Sequence, residues 1–202
     1  METETMMSII SDNRPTLAQS LWQTGDERMK FLLLAVMGSI ALWLSAKIQV
    51  PFYPVPITMQ TFVVLVVGMA FGWRLGATTV LLYLAEGALG LPVFAGSPER
   101  GIGVAYMAGP TGGYLLGFLV AAAVVGWLGQ RGWDRRIATT LAAMALGTAI
   151  IYVPGLIWLG MAIGWDKPVL GLGLWPFLPG DALKVALAAL VLPSIWRLAR
   201  HR

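Results

Sequence analysis

Residues 177–193 read FLPGDALKVALAALVLP. Beyond Lys184 the stretch is apolar and lacks the period-two alternation of a barrel strand, so it reads as a membrane helix and argues against a β-barrel. Yet it opens with Asp181 and Lys184, and a charge at the bilayer centre costs about 2.5–3.5 kcal/mol on insertion scales. Two readings account for the pair. Asp181, following Pro179 and Gly180, can cap the start of a helix, with Lys184 reaching back to the interface on its long stem. Alternatively the two share one helix face at i and i+3, turn inward and hold a ligand.

The composition around this stretch is that of a membrane protein. The chain has 202 residues, 57% of them hydrophobic and 12% charged, against about a quarter charged in a soluble domain. Its mean hydropathy is +0.74. Six stretches are apolar enough to span a bilayer core of ~30 Å. They run over about residues 29–48, 57–72, 75–90, 111–129, 137–163 and 181–198. The second and third are short, so Gly72–Trp73–Arg74 between them reads as a tight turn. The fold expected is therefore an all-α integral membrane protein with six transmembrane helices and a long external loop between the third and fourth. Residues 1–28 form an N-terminal segment, 29–198 the membrane domain and 199–202 a tail. Thr16 can cap a short surface helix carrying Leu17, Leu21 and Trp22 on one face. The acidic start METETMMSIISDNRP lacks the basic region of a cleaved signal.

Lysine and arginine give the orientation. With the N-terminus in the cytoplasm, ten of the fourteen lie on the cytoplasmic side, including Arg74, Arg131, Arg135, Arg136 and Arg197. Lys47, Arg100 and Lys167 lie outside, and Lys184 lies within a span. Both termini are expected in the cytoplasm of a bacterial cell whose inner membrane the chain crosses. The pI of about 9.7 then reflects topology, and no nucleic-acid partner is implied. There is no cysteine and a single histidine, His201 in the tail. Thiolate metal sites, disulfides and histidine-based catalysis are set aside, and no cofactor is expected.

In that orientation every ionisable group at membrane depth falls in the outer half. Gln60 begins the second span, Tyr83 and Glu86 end the third, Tyr114 begins the fourth, and Asp181 and Lys184 begin the sixth. Aspartate only accepts hydrogen bonds, whereas lysine donates up to three and attracts an anion. A small molecule with N–H groups at one end and a carboxylate at the other suits such a set. Against this, Glu86 can lie at the water boundary, and Gln60 and Tyr83 can bond helix to helix. The external loop contains Gly96, Gly101, Gly103 and Gly109, and glycine permits close backbone approach to a ligand. Long loops of this kind often serve as lids, and Val93, Phe94, Ile102 and Tyr106 suggest that this one packs down. On the first span Ala35, Gly38, Ser39, Ala41 and Ser45 make a small-residue face, for internal packing or for another helix.

The segments IQVPFYPVPITMQTFVVLVVGMAFG, LLYLAEGALGLPVFAG, GPTGGYLLGFLVA and LPGDALK together resemble the BioY family, the biotin-specific substrate-binding (S) components of energy-coupling factor (ECF) transporters. The resemblance covers roughly residues 33–190. It implies six helices, a biotin pocket near the outer face and a covering loop after the third span. It also implies that Asp181 hydrogen-bonds the ureido ring and that Lys184 makes a polar contact to biotin. Tyr83 and the Gly96–Gly103 region match pocket-lining positions. Where the family often has a plain glycine-rich run, this chain reads GSPERG. The partners implied are biotin, a transmembrane coupling subunit and two ABC-type ATPase subunits.

No P-loop is present, and GIGVAYMAG fails G-x-G-x-x-G at Tyr106. Active uptake would thus draw energy from a separate ATPase module. The candidate ligand-binding set is Asp181, Lys184, Tyr83, Glu86, Gln60, Gly96, Gly101 and Tyr114, with no catalytic or metal-binding residue. The alternatives are an S component for thiamin or riboflavin, an intramembrane enzyme using Asp181 and Glu86 as acid and base, and a structural scaffold.

Overall fold

The computed structural model describes residues 14–22 and 24–199; residues 1–13 and Gln23 of the expected N-terminal segment, and Arg200, His201 and Arg202 of the tail, lie outside the described residues. In chain order the helices are α1 (Leu17–Leu21), α2 (Glu27–Lys47), α3 (Gln60–Phe71), α4 (Trp73–Ala88), α5 (Gly103–Met107), α6 (Gly112–Gln130), α7 (Ile137–Ile163), α8 (Val169–Gly173) and α9 (Leu178–Ala199). A short antiparallel pair, β1 (Gln49–Val50) and β2 (Ile57–Thr58), joins α2 to α3 with Gln49 opposite Thr58. A 3₁₀ turn, Trp133–Arg135, links α6 to α7.

Local chemistry sets the helix ends. Thr16 caps α1 through a reciprocal box with Gln19, as its sequence suggests, and buries Leu17, although Leu21 and Trp22 remain exposed. The Asp26 carboxylate accepts from the Arg28 N–H at the start of α2 (3.0 Å). Gly72, at φ +82°, both ends α3 and opens α4, which makes the tight turn that two short spans require. Pro154 sits inside α7, which membrane helices tolerate.

Four helices, α2, α6, α7 and α9, are long and apolar enough to cross a membrane. The helices at the other two expected spans are shorter. α3 has 12 residues and α4 has 16, or about 18 and 24 Å at 1.5 Å per residue. Two boundaries correct the sequence reading. Residues 57 and 58 belong to β2, because the preceding proline-rich segment folds back as a hairpin, and α3 begins only at Gln60. At the other end, α9 begins at Leu178, three residues before Asp181.

α6 is the central helix. It packs on α7, α3 and α4, and 67% of its most apolar stretch is buried against 28% for α9. The approach is close: a Cβ on Gly117 would lie 2.8 Å from the Ile151 backbone of α7. The small-residue face of α2 also packs internally. Ala35, Gly38, Ser39 and Ser45 are buried, and a Cβ on Gly38 would stand 2.5 Å from Thr79 of α4. The opposite face of α2 exposes Leu32, Met37 and Leu44, as befits a helix covered by lipid tails.

Candidate ligand-binding site

The N-terminal ends of α3, α6 and α9 converge with the middle of α7 around a small cavity of about 50 Å³. Its walls are largely aromatic and aliphatic: Tyr106, Tyr114, Phe118, Ile151, Tyr152 and Phe177. Polar groups are few: besides the tyrosine hydroxyls, they come from Thr58, Gln60, Thr61, Thr111 and Lys184. The hairpin contributes Val55 and Pro56, and the loop after α4 contributes Ala95.

Lys184 is the cation of this cavity. Its Nζ donates to Asp181 Oδ1 at 2.8 Å and to Thr61 Oγ1 at 3.0 Å, with 11% of the side chain exposed. Thr61 in turn donates to Asp181 Oδ1 at 3.2 Å, and the Tyr152 hydroxyl donates to Oδ2. Asp181 is not a helix cap. Its N–H bonds the Phe177 carbonyl at 2.9 Å as the first turn of α9 closes, and its carboxylate is spent on side chains of α3, α7 and α9. A buried ion pair is costly unless its spare lone pairs are satisfied. Here Tyr152 and Thr61 satisfy them, leaving a lysine held by its partner with a face towards the cavity.

A second polar relay stands behind the wall. Gln60 Nε2 donates to the Tyr83 hydroxyl at 2.7 Å, and that hydroxyl donates to the Val93 carbonyl at 3.0 Å. Tyr83 is fully buried and so orients Gln60 and the loop without lining the cavity itself. Tyr114 lines the cavity, and its hydroxyl is tied to the Gly173 carbonyl at 2.9 Å. Its ring packs edge-on to Tyr152.

The candidates therefore separate. Gln60, Tyr114 and Lys184 meet at the cavity, with Asp181 and Tyr83 one layer behind. Glu86 is a correction to the expected convergence: its carboxylate accepts from Ser39 of α2, because Tyr83 and Glu86, three residues apart on a helix, turn to different neighbours. Gly96 and Gly101 are also absent from the lining. Both have positive φ, +71° and +101°, and serve the fold of the loop around them. Val93, Phe94 and Tyr106 of that loop are buried as expected, whereas Ile102 is exposed. Phe94 stacks on Tyr106 at 4.8 Å. The loop is pinned by two cations. Lys47 Nζ donates to the Phe94 and Ser97 carbonyls (3.2 and 2.9 Å), and Arg100 to those of Phe52 and Pro54 (3.0 and 3.4 Å).

Thr61, Tyr152 and Phe177 were not among the residues singled out from the sequence. Tyr152 had a signal, a lone hydroxyl in the apolar run AIIYVPGLI. Thr61 and Phe177 had none beyond adjacency to Gln60 and to the LPGD turn.

The sequence model of the BioY family matches residues 16–201. Among curated relatives, the probable biotin transporter BioY of Pyrococcus horikoshii is 39% identical, covering 72% of this chain and 83% of its own length. The biotin transporter BioY of Rhizobium etli is 38% identical over 83% of this chain and 91% of its own. That of Thermotoga maritima is 34% identical over 86% and 100%. In fold, the chain is similar to the crystal structure of the S-component for biotin from an ECF-type ABC transporter. The TM-score is 0.70, with 24% identity, 86% of this chain covered and 94% of the other.

Proposed function

The chain belongs to the BioY family, and on that premise we propose that it is a membrane-embedded biotin-binding protein that mediates biotin uptake. What carries the reading is the conjunction of relatives named as biotin transporters at 34–39% identity with a cavity of fitting chemistry. Biotin has an apolar bicyclic body, a ureido group with two N–H donors and a carbonyl, and a valerate carboxylate. The aromatic walls suit the body, and Lys184, Thr61 and Gln60 offer donors and acceptors to its polar ends. Asp181 receives the ureido N–H groups in exchange for the Thr61 or Tyr152 hydroxyl, and otherwise holds Lys184 in position.

In this proposal α3 and α4 also cross the bilayer, making six crossings with both termini in the cytoplasm and the cavity towards the outer face. The loop between α4 and α6 covers the ligand. A transmembrane coupling subunit and two ATPase subunits supply the energy, since no P-loop occurs in the sequence. The chain itself performs no covalent chemistry. The relatives' names favour neither thiamin nor riboflavin, nor an intramembrane enzyme.

The test is equilibrium binding of biotin to the purified protein in detergent, beside thiamin and riboflavin. Saturable binding of biotin alone is expected. A well-folded sample that binds thiamin or riboflavin in its place, or none of the three, overturns the substrate.

A further inference from the structure

A cleft at the opposite end of the molecule has no part in that reading. It opens between α1, the first turns of α2, the α3–α4 turn and the last residue of α6, with a volume of about 660 Å³. From Tyr114 to Gln130 along α6, this end is about 24 Å from the ligand cavity at 1.5 Å per residue. Arg14, Lys30 and Arg74 converge on it, facing a single carboxylate, Glu27. Lys30 is 6% exposed and already pairs with Glu27 at 2.6 Å. Among the described residues Arg14 and Arg74 have no ion-pair partner. Arg74 lies 5.2 Å over the Trp73 ring.

Three features turn this from a charged patch into a site. The Arg14 N–H bonds the Gln130 carbonyl at 2.9 Å, so the segment before α1 is tied down as a wall of the cleft. The Gln130 side-chain oxygen is buried with no hydrogen-bond partner among the described residues, an acceptor waiting for a donor. And the rim carries Trp22, Trp73 and Phe31, each more than a third exposed, the residues of a membrane–water interface.

We propose that this cleft binds the headgroup of an anionic phospholipid, a phosphodiester bearing free hydroxyls of the phosphatidylglycerol type. The phosphate lies between Arg14 and Arg74, a headgroup hydroxyl donates to Gln130, and the acyl chains leave over the aromatic rim. Basic pockets on the cytoplasmic side of a helix bundle favour such lipids. A free phosphate shares the charge but has no use for an apolar rim. The proposal needs only a chain that sits in a membrane, and it stands or falls apart from biotin.

Native mass spectrometry of the full-length chain, titrated with dioleoyl-phosphatidylglycerol or dioleoyl-phosphatidylcholine, reads this out. One phosphatidylglycerol per chain is expected, preferred at least tenfold over phosphatidylcholine. Arg14→Gln with Arg74→Gln should weaken it on the order of thirty-fold, from the usual contribution of each cation near a lipid surface. Arg136→Gln with Arg197→Gln, equal in charge but outside the cleft, should leave it unchanged. If the double variant does not elute as a folded species, Arg74→Gln alone should weaken binding about five-fold. Equal retention of the two lipids, equal loss in the control pair, or displacement by millimolar inorganic phosphate would each overturn the proposal.

Discussion

At the scale of single residues, Lys184 depends on Asp181 for a place in an apolar wall. Asp181→Asn removes the charge that holds the ammonium and weakens the acceptor of Tyr152 and Thr61. Hydrogen bonds to charged groups contribute about 1.5–3 kcal/mol, so biotin affinity should fall on the order of ten- to a hundred-fold with the fold retained. Calorimetric titration beside a thermal-unfolding scan checks this; unchanged affinity would remove the pair from the site. A second buried carboxylate lies at the other end. Asp134 is fully buried outside the spans, where it accepts from Trp196 Nε1. Loss of hydration raises its pKa above the ordinary 3.8, outweighing the Trp196 hydrogen bond and Arg135. A folded-state pKa above the unfolded value makes a contribution that is full at low pH and is lost as pH rises through the folded value. Asp134→Asn should therefore unfold at an equal or higher temperature than the parent at pH 8 and lose that advantage near pH 4. A large destabilisation at pH 8 would mean that the charge is compensated after all. The Asp181–Lys184 pair was legible in the sequence, since two charges opening an apolar run demand partners. That Glu86 turns to Ser39 and not to the cavity was not legible, for a physical reason: residue depth follows from span order, but the direction of a side chain around its helix does not.

At the scale of elements, the four longest helices were legible because apolar runs of about 20 residues have few other uses. The boundary at α3 was not. Ile57 and Thr58 read as the start of the apolar span, and only backbone pairing with Gln49 and Val50 reveals the hairpin. That hairpin and the loop after α4 both contribute to the cavity wall, and Lys47 and Arg100 fasten them by bonds to four backbone carbonyls. Replacing Arg100 by alanine frees the hairpin side of the fastening while leaving the cavity wall intact. A hydrogen bond from a charged donor contributes about 1.5–3 kcal/mol, most of it felt in the dissociation rate. Biotin release should accelerate roughly tenfold, measured by chase with unlabelled ligand. An unchanged rate would show that the loop does not gate release. Helix packing offers a separate test. Gly117→Ala places a methyl 2.8 Å from the Ile151 backbone, an overpacking that typically costs about 1–3 kcal/mol. The unfolding temperature in detergent should fall, with the α6–α7 contact forced apart. A rise would mean that the two helices are held loosely.

At the scale of the whole molecule, the polar groups are sorted by end. The ligand cavity takes the side where α3, α6 and α9 begin, and most arginines take the side where α3 and α6 finish. The same sorting makes the orientation testable, because the chain contains no cysteine and any introduced thiol is a unique label. Lys167 follows α7 on the cavity side and is exposed; Arg131 follows α6 on the basic side and is exposed as well. Each lies outside the helices, so cysteine at either position disturbs little packing. In intact cells a membrane-impermeant maleimide should label Lys167→Cys and spare Arg131→Cys, with Arg131→Cys reacting only after permeabilisation. The reverse pattern would invert the molecule, turning the cavity towards the cytoplasm. It could then not capture biotin from outside, and the uptake reading would fall even if biotin bound tightly. Equal labelling of both in intact cells would mean mixed insertion, which a strong excess of arginine at one end opposes. Orientation thus decides the direction of transport independently of affinity.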